Sequence, residues 1–148
     1  MCFYSMRDIE NLPQLANLTA DDRFAMRVVA HVFPFRANNY VVEELIDWSR
    51  VPDDPIFRLT FPQRDMLKPA EFETLAAAVR ADEKNEIARI VAAIRGRLNP
   101  HPAGQADDNI PLLDGEPVPG IQHKYRETAL VFPSAGQTCH AYCTYCFR

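Results

Sequence analysis

Near its carboxyl end the chain reads TALVFPSAGQTCHAYCTYCFR, residues 128–148. Its first five residues form a short apolar run that Pro133 ends, and such a run predicts a buried strand. The loop that follows contains Cys139, Cys143 and Cys146. The sequence therefore predicts a strand that leads directly into a cysteine-bearing loop.

The spacing of these cysteines is typical of a metal or cluster site. The chain has four cysteines, of which three follow the pattern Cys-x3-Cys-x2-Cys, whereas Cys2 stands apart near the start. A disulfide framework would spread its cysteines over the sequence, and in a reducing compartment thiols stay free to act as ligands. We therefore interpret Cys139, Cys143 and Cys146 as metal ligands and Cys2 as incidental.

Three cysteines can hold only part of a cubane cluster. A ferredoxin-type [4Fe–4S] cluster is held by cysteine at every iron, so three thiolates leave one iron without a protein ligand. That iron can bind a small molecule instead. The pattern therefore indicates a [4Fe–4S] cluster with one iron open to a second cofactor.

The cysteine pattern resembles the signature of the radical S-adenosylmethionine (SAM) enzymes. In that family an aromatic residue just before the third cysteine lies near SAM, and Tyr145 has this position here. The resemblance implies a [4Fe–4S] cluster on Cys139, Cys143 and Cys146, S-adenosyl-L-methionine on the open iron, and hydrogen abstraction from the substrate. It also implies an α/β fold, in which a mostly helical amino-terminal region leads into the first strand and cluster loop of a partial (β/α) barrel.

A narrower resemblance is to the lysine 2,3-aminomutases. Residues 117–126 read PVPGIQHKYR and resemble the proline-glycine turn and His-basic-Tyr element before the strand and cysteines of that family. Residues 52–56, PDDPI, resemble a proline-rich stretch of its helical region. After the third cysteine the chain departs from the family, because Phe147-Arg148 stands in place of Thr-Arg.

The narrower resemblance implies a reaction and its participants. The reaction is an isomerisation that moves an amino group between neighbouring carbons of an amino acid, with an electron donor as partner. The family also uses pyridoxal phosphate, which is held by a lysine that follows the cluster and whose position lies beyond these 148 residues.

Other interpretations of the three cysteines stay open. They could complete a Cys3His zinc site with His140 or His123, or belong to a non-catalytic module that binds a cluster or a partner. Within the family, the alternative is a different radical SAM reaction on another substrate. Ordinary polar contacts or a hydrogen bond to the cluster would explain the two histidines, and Tyr142, Tyr145 and Phe147 could cover the cluster from solvent. No residue is assigned as catalytic.

Composition restricts the partners and the compartment. The formal net charge is −4 without a basic cluster, which argues against a nucleic-acid partner. No apolar run approaches the roughly 18 residues that a membrane helix needs, and the start lacks a secretory pattern. We therefore expect a cytoplasmic protein that binds neither nucleic acid nor membranes.

Capping residues and apolar spacing predict helices before residue 99. Thr19 caps a helix that begins near Ala20 and that Pro34 closes, and another helix runs from Pro69 to about Arg80. Asn38 or Asn39 caps a helix whose inward residues are Val41, Val42, Leu45, Ile46 and Trp48. A last helix has the apolar stripe Ile87, Ile90, Val91, Ile94 and Leu98.

Proline-rich stretches predict the connections. Residues 49–67 are expected to be an ordered surface loop, with an extended segment from Phe57 to Phe61 as the alternative. Residues 99–119 are rich in proline, glycine and aspartate, which predicts a linker. The predicted organisation is a helical region over 1–98, a linker over 99–119 and the start of the barrel over 120–148.

The 148 residues are expected to be an amino-terminal fragment that does not turn over. One strand cannot hold SAM and enclose a radical. The measurement is formation of 5′-deoxyadenosine from SAM, with a control variant in which Cys139, Cys143 and Cys146 are all replaced by alanine. Product above the level of this control would contradict the expectation.

Overall fold

Helices and hairpins occupy separate units of the chain. The computed structural model describes residues 3–98, 109–131 and 141–142. Residues 3–98 together with 141–142 form the first unit, which contains the helices. Residues 109–131 belong to the second unit, which contains hairpins.

The described part of the first unit contains four α-helices. They are α1 (Ala20–Val32), α2 (Pro55–Thr60), α3 (Pro69–Arg80) and α4 (Lys84–Leu98). Strands β1 (Phe3–Ser5) and β2 (Arg36–Asn38) pair antiparallel, with Phe3 opposite Asn38. Tighter 3-10 turns cover Met6–Asn11, Pro13–Asn17, Trp48–Arg50 and Arg64–Met66, and a π turn covers Val41–Leu45.

Helix α1 begins and ends where the sequence predicts. The Asp22 amide donates to Thr19 Oγ1 at 3.1 Å, and the Thr19 amide donates to Asp22 Oδ2 at 3.1 Å, which completes a capping box. The helix ends at Val32, shortly before Pro34. The predictions for α3 and for the apolar stripe of α4 are confirmed as well, with Ile90, Val91 and Ile94 buried.

The two faces of α1 contact different hydrophobic clusters. Ala25, Val28, Val29 and Val32 pack with residues of α3 and α4, including Phe72, Leu75 and Ile94. Met26 and Ala30 pack with the aromatic residues Phe35, Phe57 and Phe61. The spacing by three and four residues is the spacing of a helix face, so α1 separates the two clusters.

The predicted surface loop over residues 49–67 is wrong, because α2 occupies its middle. Asp54 Oδ1 accepts a hydrogen bond from the Phe57 amide at 2.8 Å, and Pro55 occupies the first helical position. The rings of Phe57 and Phe61 stack with their centroids 4.9 Å apart. The extended alternative for this segment is also wrong, since Phe57 and Phe61 lie one helical turn apart and bury together.

The helix predicted after Asn38 is present as a short, widened turn. Asn38 Oδ1 accepts from the Val41 amide at 2.9 Å, and Val42 and Ile46 are buried as predicted. Leu45 is 43% exposed, so its predicted inward position is wrong. In a π turn the hydrogen bonds span one more residue than in an α-helix, and this rotates Leu45 away from the side of Val42.

The predicted linker contains a hairpin that the sequence analysis missed. Strands β3 (Leu112–Leu113) and β4 (Glu116–Pro117) pair antiparallel around Asp114 and Gly115, whose φ angles are 53° and 86°. Positive φ at both central residues is what a type I′ hairpin turn requires, and Asp-Gly is a preferred pair for it. The Asp-Gly pair, not the surrounding prolines, decides the structure here.

The strand predicted before the cysteine loop is present, but it is not buried. Strand β6 (Thr128–Val131) pairs antiparallel with β5 (Ile121–Tyr125), and all four β6 residues are exposed, with Val131 at 65%. Within the described residues β6 pairs with β5 alone, so its apolar residues have no covering layer there. The mixture of helices and strands is confirmed, whereas the described sheets are two-stranded and antiparallel, and the barrel stays a prediction.

Replacing Asp54 by alanine is expected to lower the free energy of unfolding by about 1–2 kcal/mol. Asp54 is 3% exposed, and its carboxylate also accepts from the Asp47 amide at 3.3 Å, so its loss leaves two amides without their acceptor. Urea unfolding of Asp54→Ala measures the effect, and Asp53→Ala is the matched control because Asp53 is exposed. Equal stability of the two variants would contradict the capping role.

Replacing Glu71 by glutamine is expected to reduce stability at neutral pH and to have less effect in acid. Hydrogen bonds from Arg97 at 2.6 and 2.8 Å join α4 to α3 and lower the pKa of the Glu71 carboxyl. A lowered pKa in the folded state stabilises the fold above the ordinary glutamate pKa, and this contribution disappears as pH falls through the lowered value.

We expect Glu71→Gln to cost about 0.2–1 kcal/mol at pH 7, since the pair is partly exposed, and less near pH ~3. Urea unfolding at both pH values measures the difference. Glu44→Gln, on an exposed side chain, controls for the loss of one charge. A cost for Glu71→Gln that does not change between the two pH values would contradict the interpretation.

Candidate functional site

The ligands predicted from the sequence lie outside the described residues. This applies to Cys139, Cys143 and Cys146, to the predicted SAM contact Tyr145, and to His140. Cys2 and Phe147 also lie outside that part of the chain. The described part of the cysteine loop is Ala141 and Tyr142, which stand between the first and second cysteines.

Tyr142 docks on the helical unit through both its main chain and its side chain. Its amide donates to the Leu59 carbonyl at 2.8 Å, and its hydroxyl lies 3.3 Å from the carbonyl oxygens of Phe33 and Pro34. The ring meets Phe33 edge to face, with centroids 6.0 Å apart. A tyrosine hydroxyl has one proton to donate, so the two carbonyls share it.

The carbonyls that accept from Tyr142 lie at the carboxyl ends of two helices. Phe33 and Pro34 directly follow α1, and Leu59 is in the last turn of α2. The last carbonyls of a helix receive no hydrogen bond from within the helix, so their donors come from outside it. Tyr142 supplies such donors at the ends of α1 and α2.

A second side chain completes the end of α1. Arg95, on α4, donates from Nε to the Val32 carbonyl at 2.9 Å and from its terminal nitrogen to the His31 carbonyl at 3.0 Å. A cation at the carboxyl end of a helix is favoured by the helix dipole as well as by the hydrogen bonds. Arg95 and Tyr142 thus satisfy four successive carbonyls, from His31 to Pro34.

Burial raises the pKa of the Tyr142 hydroxyl above its ordinary value, because the charged form would be desolvated. The group therefore stays protonated at neutral pH and acts as a donor. Burial also lowers the pKa of His31, at the same helix end, which favours the neutral imidazole. Both shifts arise from apolar surroundings.

His123, the alternative zinc ligand, lies in β5 with an exposed side chain. Its ring nitrogen Nε2 is 3.4 Å from the Arg126 carbonyl, and its amide donates to the Asn109 carbonyl at 2.7 Å. These are polar contacts within its own unit. They agree with the ordinary role that the sequence analysis left open for this histidine.

The donors that the sequence offers to a metal group are the thiolates of Cys139, Cys143 and Cys146, and their chemistry indicates which group fits them. Among the described residues no group of three histidine, cysteine, aspartate or glutamate side chains could hold a metal ion. The three thiolates of the cysteine loop lie outside that part of the chain. Three thiolates at short spacing fit an iron–sulfur cluster with one open iron.

A groove of about 300 Å³ lies beside the start of α1. Ala25, Met26, Pro52, Phe57 and Pro62 supply apolar lining. Of the charged lining residues, Arg58 pairs with Asp65 at 3.0 Å, and Asp22 is engaged in the cap of α1. The groove is therefore mostly apolar, and its residues Arg58, Asp65 and Asp22 have partners inside the unit. The sequence analysis did not predict it, because its walls come from distant segments.

No family model, curated protein or solved structure matches the chain. Among the described helices, none is both long enough and apolar enough to cross a membrane.

The docking of Tyr142 does not follow from the sequence. The motif predicts only a residue that covers the cluster, whereas the ring contacts Phe33 of the helical unit. The signal available in the sequence was an aromatic residue between two cysteines, and nothing local indicates which surface such a residue contacts.

Proposed function

We propose that the chain is the amino-terminal part of a radical SAM enzyme. The observation that carries the proposal is the Cys-x3-Cys-x2-Cys spacing of Cys139, Cys143 and Cys146. The aromatic residue Tyr145, directly before the third cysteine, supports it. So does the position of strand β6, which ends at Val131, eight residues before the first cysteine.

In this function the three cysteines would hold a [4Fe–4S] cluster, and Tyr145 would contact SAM. When bound, the cluster and SAM supply the one-electron chemistry that removes a hydrogen atom from an unactivated carbon. The contribution of the chain itself is to supply three closely spaced thiolates. Thiolate ligands and an oxygen-sensitive cluster suit a reducing compartment, so we propose a cytoplasmic enzyme with a separate electron donor.

For the reaction we propose a 1,2-amino migration on an amino acid, as in the lysine 2,3-aminomutases. The support is the segment PVPGIQHKYR at residues 117–126, together with the order hairpin, strand and cysteine loop. A partial (β/α) barrel and a pyridoxal phosphate site would follow in the intact enzyme. The alternative is another radical SAM reaction, which the departure at Phe147-Arg148 favours.

Anaerobic reconstitution with iron and sulfide is the experiment that tests the proposal. The parent chain is expected to bind about four irons and four sulfides. A paramagnetic resonance signal of the reduced form that changes when SAM is added would show that the three cysteines leave one iron open. Alanine at Cys139, Cys143 or Cys146 should abolish the cluster, whereas the matched control Cys2→Ala should retain it.

Tightly bound zinc without a cluster would overturn the proposal and indicate a structural metal module. A requirement for Cys2 would contradict the assigned ligands. A cluster signal indifferent to SAM would support the three ligands and show that these 148 residues lack the SAM site.

A further inference from the structure

We propose that Tyr142 is a positioning residue, which anchors the cysteine loop to the carboxyl ends of α1 and α2. What the loop binds rests on the proposed function, whereas the anchoring rests on the contacts of Tyr142 itself. The amide reaches the Leu59 carbonyl at 2.8 Å, and the hydroxyl is shared between the carbonyls of Phe33 and Pro34 at 3.3 Å.

These acceptors lie at the carboxyl ends of α1 and α2. Helix-terminal carbonyls lack intrahelical donors, and Phe33, whose carbonyl is one of them, is itself 8% exposed. The Tyr142 ring also packs against the cluster formed by α1, α3 and α4. The loop is therefore held by directional hydrogen bonds and by apolar contact at the same residue.

The anchor lies within the ligand sequence. Tyr142 is directly before Cys143 and three residues after Cys139. Consecutive Cα atoms are about 3.8 Å apart, so fixing Tyr142 restricts the region that both neighbouring thiolates can reach. Ordering this backbone before the metal arrives removes part of the conformational entropy that ligand assembly would otherwise cost.

The role differs from that of a ligand or a catalytic group. The hydroxyl proton is directed at the helix ends, and the amide is engaged by Leu59. Tyr142 acts on the metal indirectly, because its position restricts where Cys139 and Cys143 can lie. A positioning role predicts that its loss weakens metal retention while the helical unit remains folded.

The anchoring itself can be tested in the metal-free full chain by hydrogen–deuterium exchange. Tyr142→Ala is expected to speed exchange at the segment that contains residue 142 by about two- to tenfold, the range for losing one net hydrogen bond. Tyr142→Phe keeps the ring and the amide and should give an intermediate effect. Tyr40→Ala is the matched control, since Tyr40 is 56% exposed in the same unit.

The positioning role can be tested by the lifetime of the reconstituted cluster in air. Tyr142→Ala is expected to lose iron about two- to tenfold faster than the parent and Tyr40→Ala, with Tyr142→Phe between them. Thermal unfolding of the helical unit should change little in Tyr142→Phe. Equal lifetimes in all four proteins, or equal exchange at residue 142, would overturn the inference.

Failure of the proposed function is distinguishable from failure of this inference. If the parent takes up no cluster, the proposed function fails. The affinity of the same three thiolates for cobalt(II) is then measured in place of the lifetime of the cluster. Weaker cobalt binding in Tyr142→Ala than in Tyr40→Ala would then support the anchor. Equal affinities, or a parent that binds neither metal group, would overturn it.

Discussion

Helix α1 is the element on which the rest of the helical unit depends, because two hydrophobic clusters use its opposite faces. Val28, Val29 and Val32 pack toward α3 and α4, while Met26 and Ala30 pack toward the aromatic residues around α2. Each fully buried aliphatic side chain contributes about 1.5–3 kcal/mol. A rotation of α1 would disturb both clusters at once, so the cap at Thr19 and the closure after Val32 matter beyond the helix itself.

The closure of α1 shows how a local requirement is met by distant residues. The four carbonyls from His31 to Pro34 accept from Arg95 and Tyr142, which lie on α4 and in the cysteine loop. These donors are far away in sequence, yet the acceptors exist only because the helix ends there. The end of one helix thereby connects the hydrophobic core to the segment that carries the three closely spaced cysteines.

Local signals predict α1, α3 and α4 well, since the cap of α1, the first-position proline of α3 and the apolar stripe of α4 each lie within one segment. They fail between residues 49 and 67, where the prolines predict a loop although a short helix forms. Asp54 instead caps a helix, and Pro55 is its first residue. The stacked rings of Phe57 and Phe61 stabilise this short helix. Within residues 99–119 the Asp114-Gly115 pair decides the local structure, because both residues have positive φ and form a hairpin turn. The prolines of this segment do not indicate that turn.

For the candidate site, the sequence can indicate ligands but not their support. Thiolate spacing is a local property, because neighbouring ligands must reach one cluster, and it can therefore be recognised in eight residues. The partners of Tyr142 lie at Phe33, Pro34 and Leu59, and they become acceptors only when α1 and α2 fold and end at these residues. The position of residue 142 is consequently a property of the helical unit as much as of the cysteine motif. Under the proposed anchoring, two chains with the same cysteine spacing but different helix ends would present their thiolates differently.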